Sequence, residues 1–298
     1  TLEPCLVMYF SSASKELRAL LPPPARQQLR TDYEETTALC VKVGMWDCKE
    51  LREATEAFFV NKGLSAADLS TLAKLGSVLP ALEELCLAEC SGSADPDGVS
   101  RLAKGLVAGA LPAVTLLTII SMHVGDAGAS ALAAALGGGA LPRLKILHLS
   151  NVSIGDAGLV ELGPTLRRRP ALEELSLAHN PIGDEGLAAL VAPSWHPPPP
   201  GVPPPPSEGL TKLKALGLMG TRVTDTGCAT LTAALNNGSL PALEQLYLRG
   251  IPASAAVKAA VLETFDKLQH GRQHGEMDSG SGQEGVCRAL REVHVDHS

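Results

Sequence analysis

Aromatic side chains are scarce here, with four Phe, three Tyr and two Trp in 298 residues. A core without large rings must come from Leu, Val, Ile and Ala, which suits small units stacked in series. Clustered Lys and Arg are also lacking, and the net charge of −7 is mild and mixed. A phosphate-binding face needs concentrated positive charge, so nucleic acid is not the expected partner. The seven cysteines, Cys5, Cys40, Cys48, Cys86, Cys90, Cys228 and Cys287, are odd in number and form no C-x-x-C pair. Neither a zinc site nor a disulfide framework is signalled, and the closest pair, Cys86 and Cys90, reads as reduced, buried thiols of a cytosol-like compartment. Two glycosylation sequons, at Asn151 and Asn237, keep a secreted alternative open. Long apolar runs are missing as well. The stretch 105–120 is short for a bilayer and contains Pro112, so no membrane span is expected. The chain opens on Thr1 rather than Met, which leaves room for a targeting segment upstream.

Catalytic motifs are absent in turn. There is no Walker loop, G-x-S-x-G, H-E-x-x-H or kinase signature, and Gly137–Gly139 ends a helix rather than opening one. No enzyme activity, cofactor or metal is therefore expected. His148 and His179 lie 31 residues apart and could approach each other, but two imidazoles without a carboxylate or thiol make a poor metal site.

What the sequence does contain is internal repetition. Six segments share one pattern, beginning at Leu82, Val114, Leu144, Leu172, Leu213 and Leu243, each with apolar residues three and five positions later. Successive starts are 32, 30, 28, 41 and 30 residues apart. Four of these segments are followed by a second signature: Val124-Gly-Asp126-Ala-Gly128, Ile154-Gly-Asp156-Ala-Gly158, Ile182-Gly-Asp184-Glu-Gly186 and Val223-Thr-Asp225-Thr-Gly227. An Ala/Leu-rich, helix-like stretch comes next. The Asp reads as the helix N-cap and the Gly as a tight turn beside the neighbouring coil. Leu-Pro at 79–80, 111–112, 141–142 and 240–241 then ends the helix and resets the chain.

This order of anchors resembles the leucine-rich repeat, and the helix in each unit is similar to the ribonuclease-inhibitor-like class. The Ile-Gly-Asp-x-Gly-Leu units with Ala-rich helices also resemble the multiplied arrays of protists and algae. The resemblance covers residues 79–269. It implies an α/β fold: a right-handed leucine-rich-repeat solenoid, a horseshoe arc with a parallel β-sheet on the concave face and helices on the convex face. Cys90 and Asn180 match the family's Asn/Cys position after the strand. Met122, Val152 and Thr221 depart from it, so the loop-bonding ladder should be interrupted there.

The domain reading is an N-terminal, partly helical cap over residues 1–37 and a solenoid over 38–298. Within the solenoid, 38–46 reads as an upstream strand, with either Val41/Val43 or Val43/Met45 pointing inward; the second choice puts Cys48 at the Asn/Cys position. Helices follow within 50–60 and 66–75, and 290–295 fits a terminal strand. A polyproline insertion at 193–209 accounts for the 41-residue spacing. It reads as a surface loop; its sharper reading is a ligand for a polyproline-binding domain through Pro197, Pro198, Pro199, Pro200, Pro203, Pro204, Pro205 and Pro206. Residues 271–285, polar and glycine-rich, read as a flexible loop. Arg167–Arg169 reads as a solvated corner, or alternatively as a contact for an acidic partner.

Side chains alternate along a strand, so positions three, five and seven of each repeat should face the concave side. The expected partner-binding residues there are Leu116, Thr118, Ile120, Ile146, His148, Ser150, Ser176, His179, Met219, Tyr247 and Arg249. Exposed apolar clusters of this kind mark contact surfaces. The expected function is a non-enzymatic protein-interaction module or scaffold with a protein partner. The fold resemblance also allows a regulator of a small GTPase, like the activators of Ran-type GTPases, or a substrate-recognition subunit of a ubiquitin ligase. The ending REVHVDHS lacks the long acidic tail of the former, and residues 1–37 do not resemble an F-box.

Overall fold

A computed structural model describes residues 22–89, 97–191 and 209–277, the last seven as backbone only. Seven strands form one sheet in sequence order with every pairing parallel: β1 (Glu56–Val60), β2 (Glu84–Ala88), β3 (Leu116–Ile120), β4 (Ile146–Ser150), β5 (Glu174–Ser176), β6 (Ala215–Gly217) and β7 (Gln245–Tyr247). Between them run α3 (Ala66–Leu75), α4 (Gly98–Gly105), α5 (Gly125–Gly137), α6 (Asp156–Arg167), α7 (Asp184–Val191) and α8 (Asp225–Asn236), and α9 (Ala255–Met277) follows β7. Ahead of the sheet lie α1 (Pro23–Val43) and α2 (Cys48–Glu53).

The register is uniform. Leu85, Leu117, Leu147, Leu175, Leu216 and Leu246 stand side by side, as do Leu87, Ile119 and Leu149. All of these except Leu246, on the last strand, are at most 2% exposed and form the wall between sheet and helices. Full burial stabilises by about 1.5–3 kcal/mol per side chain. Strands stack about 4.8 Å apart while packed helices need about 8–10 Å, so the sheet takes the inside of the arc.

The Asp-x-Gly signature works between repeats rather than within one. Asp126 Oδ1 accepts the amides of Gly155 (2.7 Å) and Gly158 (3.0 Å), where the next helix begins. Asp156 does the same for Gly183 and Gly186, Asp184 for Thr224, and Asp225 for Ser254. The expectation that each Asp caps its own helix is corrected: it lies at the start of that helix and satisfies the orphan donors of the following one. The glycines make room for it. A Cβ on Gly158 or Gly186 would sit 2.6 Å from the incoming carboxylate oxygen, and on Gly227 2.3 Å.

The loop-bonding ladder has one full rung. Asn180, 2% exposed, accepts from Val152 N and Ile154 N and donates to the carbonyls of Leu149, Leu177 and Ala178. Glu89, 1% exposed, supplies a partial one by accepting Leu64 N at 3.0 Å. Met122, Val152 and Thr221 are buried without bridging repeats through their side chains.

The N-terminal end departs from expectation. Residues 38–46, expected as a strand, are the end of α1 and its cap, and the helix runs through the 37/38 boundary. Its buried residues, Leu29, Thr36, Leu39, Cys40 and Val43, follow the 3.6-residue period. Gly44 at φ 88° stops it, with Gly44 N donating to Val41 O and Met45 N to Cys40 O, a Schellman closure. The first strand lies instead in 56–60, where a helix was expected. Asp47 caps the short α2, and EAFFV then alternates exposed and buried. At the other end, 271–277 of the expected flexible loop are helical, part of α9. Arg167–Arg169 is corrected too. Arg169 donates to the carbonyls of Leu136, Ala140 and Leu141 and so closes the end of α5, Arg167 reaches Ala189 O, and only Arg168 is fully exposed. The polyproline residues 197–200 and 203–206, the terminal strand at 290–295, and Cys5, Cys90 and Cys287 lie outside the described residues.

Two stability predictions follow. Gly186→Ala should cost about 1–3 kcal/mol by forcing the Asp156 carboxylate aside, and Asp156→Ala a similar amount. In the double variant the losses should fall short of additive by about 1 kcal/mol, read by chemical denaturation as a double-mutant cycle. The second concerns pH. Burial opposes ionisation of Asp68, but hydrogen bonds from Lys42 (2.6 Å) and from the amide and hydroxyl of Ser65 outweigh it and hold the carboxyl below 3.8. That contribution is complete above pH 3.8 and is lost as pH falls through the folded value. Asp68→Asn should therefore melt below the parent at neutral pH, with the gap closing in acid.

Candidate protein-binding surface

Because apolar residues, mostly leucine with Ala57 and Phe59 on β1, fill the inward positions, the opposite sheet face is set by three rows of side chains running across the strands. The first row reads Glu56, Glu84, Leu116, Ile146, Glu174, Ala215, Gln245; the second Phe58, Cys86, Thr118, His148, Ser176, Gly217, Tyr247. The third, confined to the longer strands, reads Val60, Ala88, Ile120, Ser150. Apart from Ala88 and Thr118, the side chains of these rows on β1–β4 are at least partly exposed.

Leu116, Ile120, Ile146, His148, Ser150 and Ser176 lie together on adjacent strands, all partly exposed. Ser150 and Ser176 hydroxyls share a hydrogen bond at 3.2 Å, and His148 Nε2 stands 3.8 Å from Glu174 Oε2. Thr118 is corrected as a contact residue, since its neighbours leave it 8% exposed. His179 is corrected also. It occupies the turn after β5 at φ 57°, the left-handed position shared with Asn61, Ser121, Asn151, Gly220 and Gly250, and its ring packs on Gly220. It therefore does not meet His148 on the sheet. Met219, Tyr247 and Arg249 lie at the far end, across Ser176, Ala178 and Gly217 from the apolar residues of β3 and β4. The expected single track is thus two patches.

The larger patch gains two residues that sequence reasoning missed. Phe58 is 53% and Val60 44% exposed, the most open apolar side chains on the sheet. With the partly exposed Leu116, Ile120 and Ile146 they make an apolar surface over β1, β3 and β4, with the buried Ala88 between them on β2. The signal was the strict alternation of EAFFV. Val41 and Trp46, also exposed, belong to α1 and its following turn and lie off the sheet.

Elsewhere the chemistry is sparse. Among the described residues no cluster of His, Cys, Asp or Glu could hold a metal ion, and no helix is long and apolar enough to cross a membrane. A shallow groove of about 390 Å³ between Pro142, Thr165, Arg168 and Pro170 contains no carboxylate, thiol or imidazole. Cys40, Cys48, Cys86 and Cys228 are free thiols. Cys40 and Cys48 are mutually hydrogen-bonded and buried at the α1–α2 junction. The Cys40 thiol donates to the Cys48 sulfur, which holds Cys48 below the ordinary thiol range against the opposing effect of burial; Thr37 Oγ1, 3.9 Å away, adds to the lowering. The same bond and burial push Cys40 up.

Residues 170–191 match the family model described as "Leucine Rich repeat". Within the seven-stranded array, this unit is a leucine-rich repeat. Comparison with curated proteins gave no match. Three solved structures are similar to the repeat array. An internalin C2 from Listeria monocytogenes shares 18% identity over 74% of this chain and 84% of its own, at a TM-score of 0.39. An internalin (inlF) from the same organism shares 12% over 83% and 97%, at 0.26. Leiomodin-1 actin-binding site 2 shares 15% over 53% and 88%, at 0.33. At these scores they stand as likenesses only.

The thiol pair in the first unit of the array yields a test. Cys48 should form its thiolate with a midpoint below the ordinary 9.0. Cys40→Ala removes the donor and should move that midpoint upward, as read by pH-dependent thiolate absorbance with the other five cysteines, Cys5, Cys86, Cys90, Cys228 and Cys287, replaced by Ser.

Proposed function

We propose that this chain is a non-enzymatic protein-interaction module whose partner docks on the concave sheet over β1–β4. One observation carries the reading. Phe58 and Val60, half exposed, adjoin the partly exposed Leu116, Ile120 and Ile146 on a face that the described helices leave open. An exposed apolar patch of contiguous residues is costly on a soluble surface and is characteristic of contact sites. The smaller side chains beside it, Ala88 and Cys86, let a partner approach the sheet closely. Rigidity favours the same reading: the patch is carried on paired strands above a saturated leucine core, so little conformational entropy is lost when a partner binds.

Affinity capture from native extract, followed by mass spectrometry, tests this with three variants. Phe58→Asp and Ile146→Asp should weaken capture of the partner by about thirtyfold or more, the loss of a hot-spot residue of about 2 kcal/mol. Their circular dichroism and melting should stay close to the parent's. Val160→Asp, on the exposed side of α6, should leave capture intact. Full capture by both sheet variants would overturn the placement.

A further inference from the structure

We infer that the segment received by this face is an amphipathic helix with a basic side chain at each end of a short apolar stretch, an assignment that rests on the concave-face reading above. The first row across the sheet carries it. In register order it runs Glu56, Glu84, Leu116, Ile146, Glu174: two acids, two apolar residues, one acid. Glu56 and Glu84 are direct partners on neighbouring strands, about 4.8 Å apart. Like charges so placed repel, and neither has an ion-pair partner among the described residues. Strands β1 to β3 put no Lys or Arg on this face. Glu174 has the half-buried His148 beside it on the sheet, at 3.8 Å, and feels Lys214 at longer range, although that ammonium is hydrogen-bonded to Glu173. The face thus combines an apolar floor with negative charge at both ends, uncompensated at Glu56 and Glu84.

Spacing selects a helix over an extended segment. Three strand intervals span about 14 Å. A helix advances 5.4 Å per turn, close to one turn per strand, so residues i, i+3, i+7 and i+10 cover about 15 Å and share one face. A cation at i then sits over Glu84, apolar side chains at i+3 and i+7 over Leu116 and Ile146, and a cation at i+10 over Glu174. An extended segment lying across the sheet repeats its facing side chains every 6.6–6.8 Å and falls out of step within two strands. Phe58, Val60 and Ile120, in the next two rows, flank the docked helix and supply its remaining apolar contact. The same carboxylates repel anionic lipid and nucleic-acid phosphate, which leaves a basic polypeptide as the matching occupant.

The test uses the full chain and two synthetic alanine-based helices with leucine at i+3 and i+7. One carries lysine at i and i+10, the other glutamate. The lysine peptide should bind at least about tenfold tighter than the glutamate peptide, with a preference that shrinks as salt rises. Glu84→Lys with Glu174→Lys should reverse the preference, and Glu84→Gln with Glu174→Gln should abolish it while circular dichroism stays unchanged. Equal binding of the two peptides, or no binding of either, would overturn the basic-helix assignment. Loss of natural-partner capture by Ile146→Asp would still support the concave site, so the two failures are distinguishable. Binding of the chain to phosphatidylserine vesicles, or a dimer that the lysine peptide cannot compete away, would also overturn it by placing a membrane or a second copy on the face.

Discussion

From α6 onward, each helix starts on a carboxylate supplied by the repeat before. Asp126, Asp156 and Asp184 reach forward to the amides that open the next helix, and a glycine is required wherever the carboxylate arrives. Helix starts carry unsatisfied donors and partial positive charge, so an incoming Asp is stabilising there. The bond also fixes spacing. Helices cannot slide relative to one another without breaking it, so the sheet register is held uniform from β3 to β7. Arg169 performs the matching service at a helix end, holding three carbonyls of the preceding turn. Stability is therefore distributed along the array, unit against unit, as expected where each repeat packs only on its neighbours.

How much of this was legible in the sequence depends on whether a signal repeated. The inward leucines and the Leu-Pro resets recur, so the strands β2 to β7 and the buried wall could be read directly. Ile-Gly-Asp-x-Gly recurs too, yet its meaning was misread. A one-dimensional pattern puts Asp beside its own helix, while its partners lie 27 to 40 residues away. The first unit had no repeat to lean on. ALCVKVGMW alternates well enough for a strand, but the buried set from Leu29 to Val43 obeys the helical period over a longer span, and the longer pattern won. Displacing that strand hid β1, and with it Phe58 and Val60. His179 was misplaced for a similar reason: one residue beyond the strand the chain turns left-handed, and strand alternation no longer predicts direction.

With every inward position taken by leucine or a close equivalent, selection has only the outward rows to work with. Those rows differ sharply along the array. From β1 to β4 they hold Phe58, Val60, Leu116, Ile120 and Ile146; from β5 onward Ser176, Ala215 and Gly217 predominate. Packing does not require this difference from β2 onward, because the wall beneath those strands is leucine or isoleucine throughout. The C-terminal positions show that a small or polar residue is compatible with the register, so the large apolar residues of the first half are not demanded by the fold.

Strand length points the same way. β1 to β4 are five residues long and β5 to β7 three. Five paired residues expose three rows of side chains, three expose two. The first half of the sheet is therefore a wider and stiffer platform, and it coincides with the apolar patch and its flanking acids. A broad platform also raises the cost of leaving apolar side chains wet, because ladder hydrogen bonds prevent the strands from twisting them under. Width, exposure and uncompensated charge thus converge on one surface of four strands, and a partner that covers the apolar floor while neutralising Glu56, Glu84 and Glu174 relieves both costs at once.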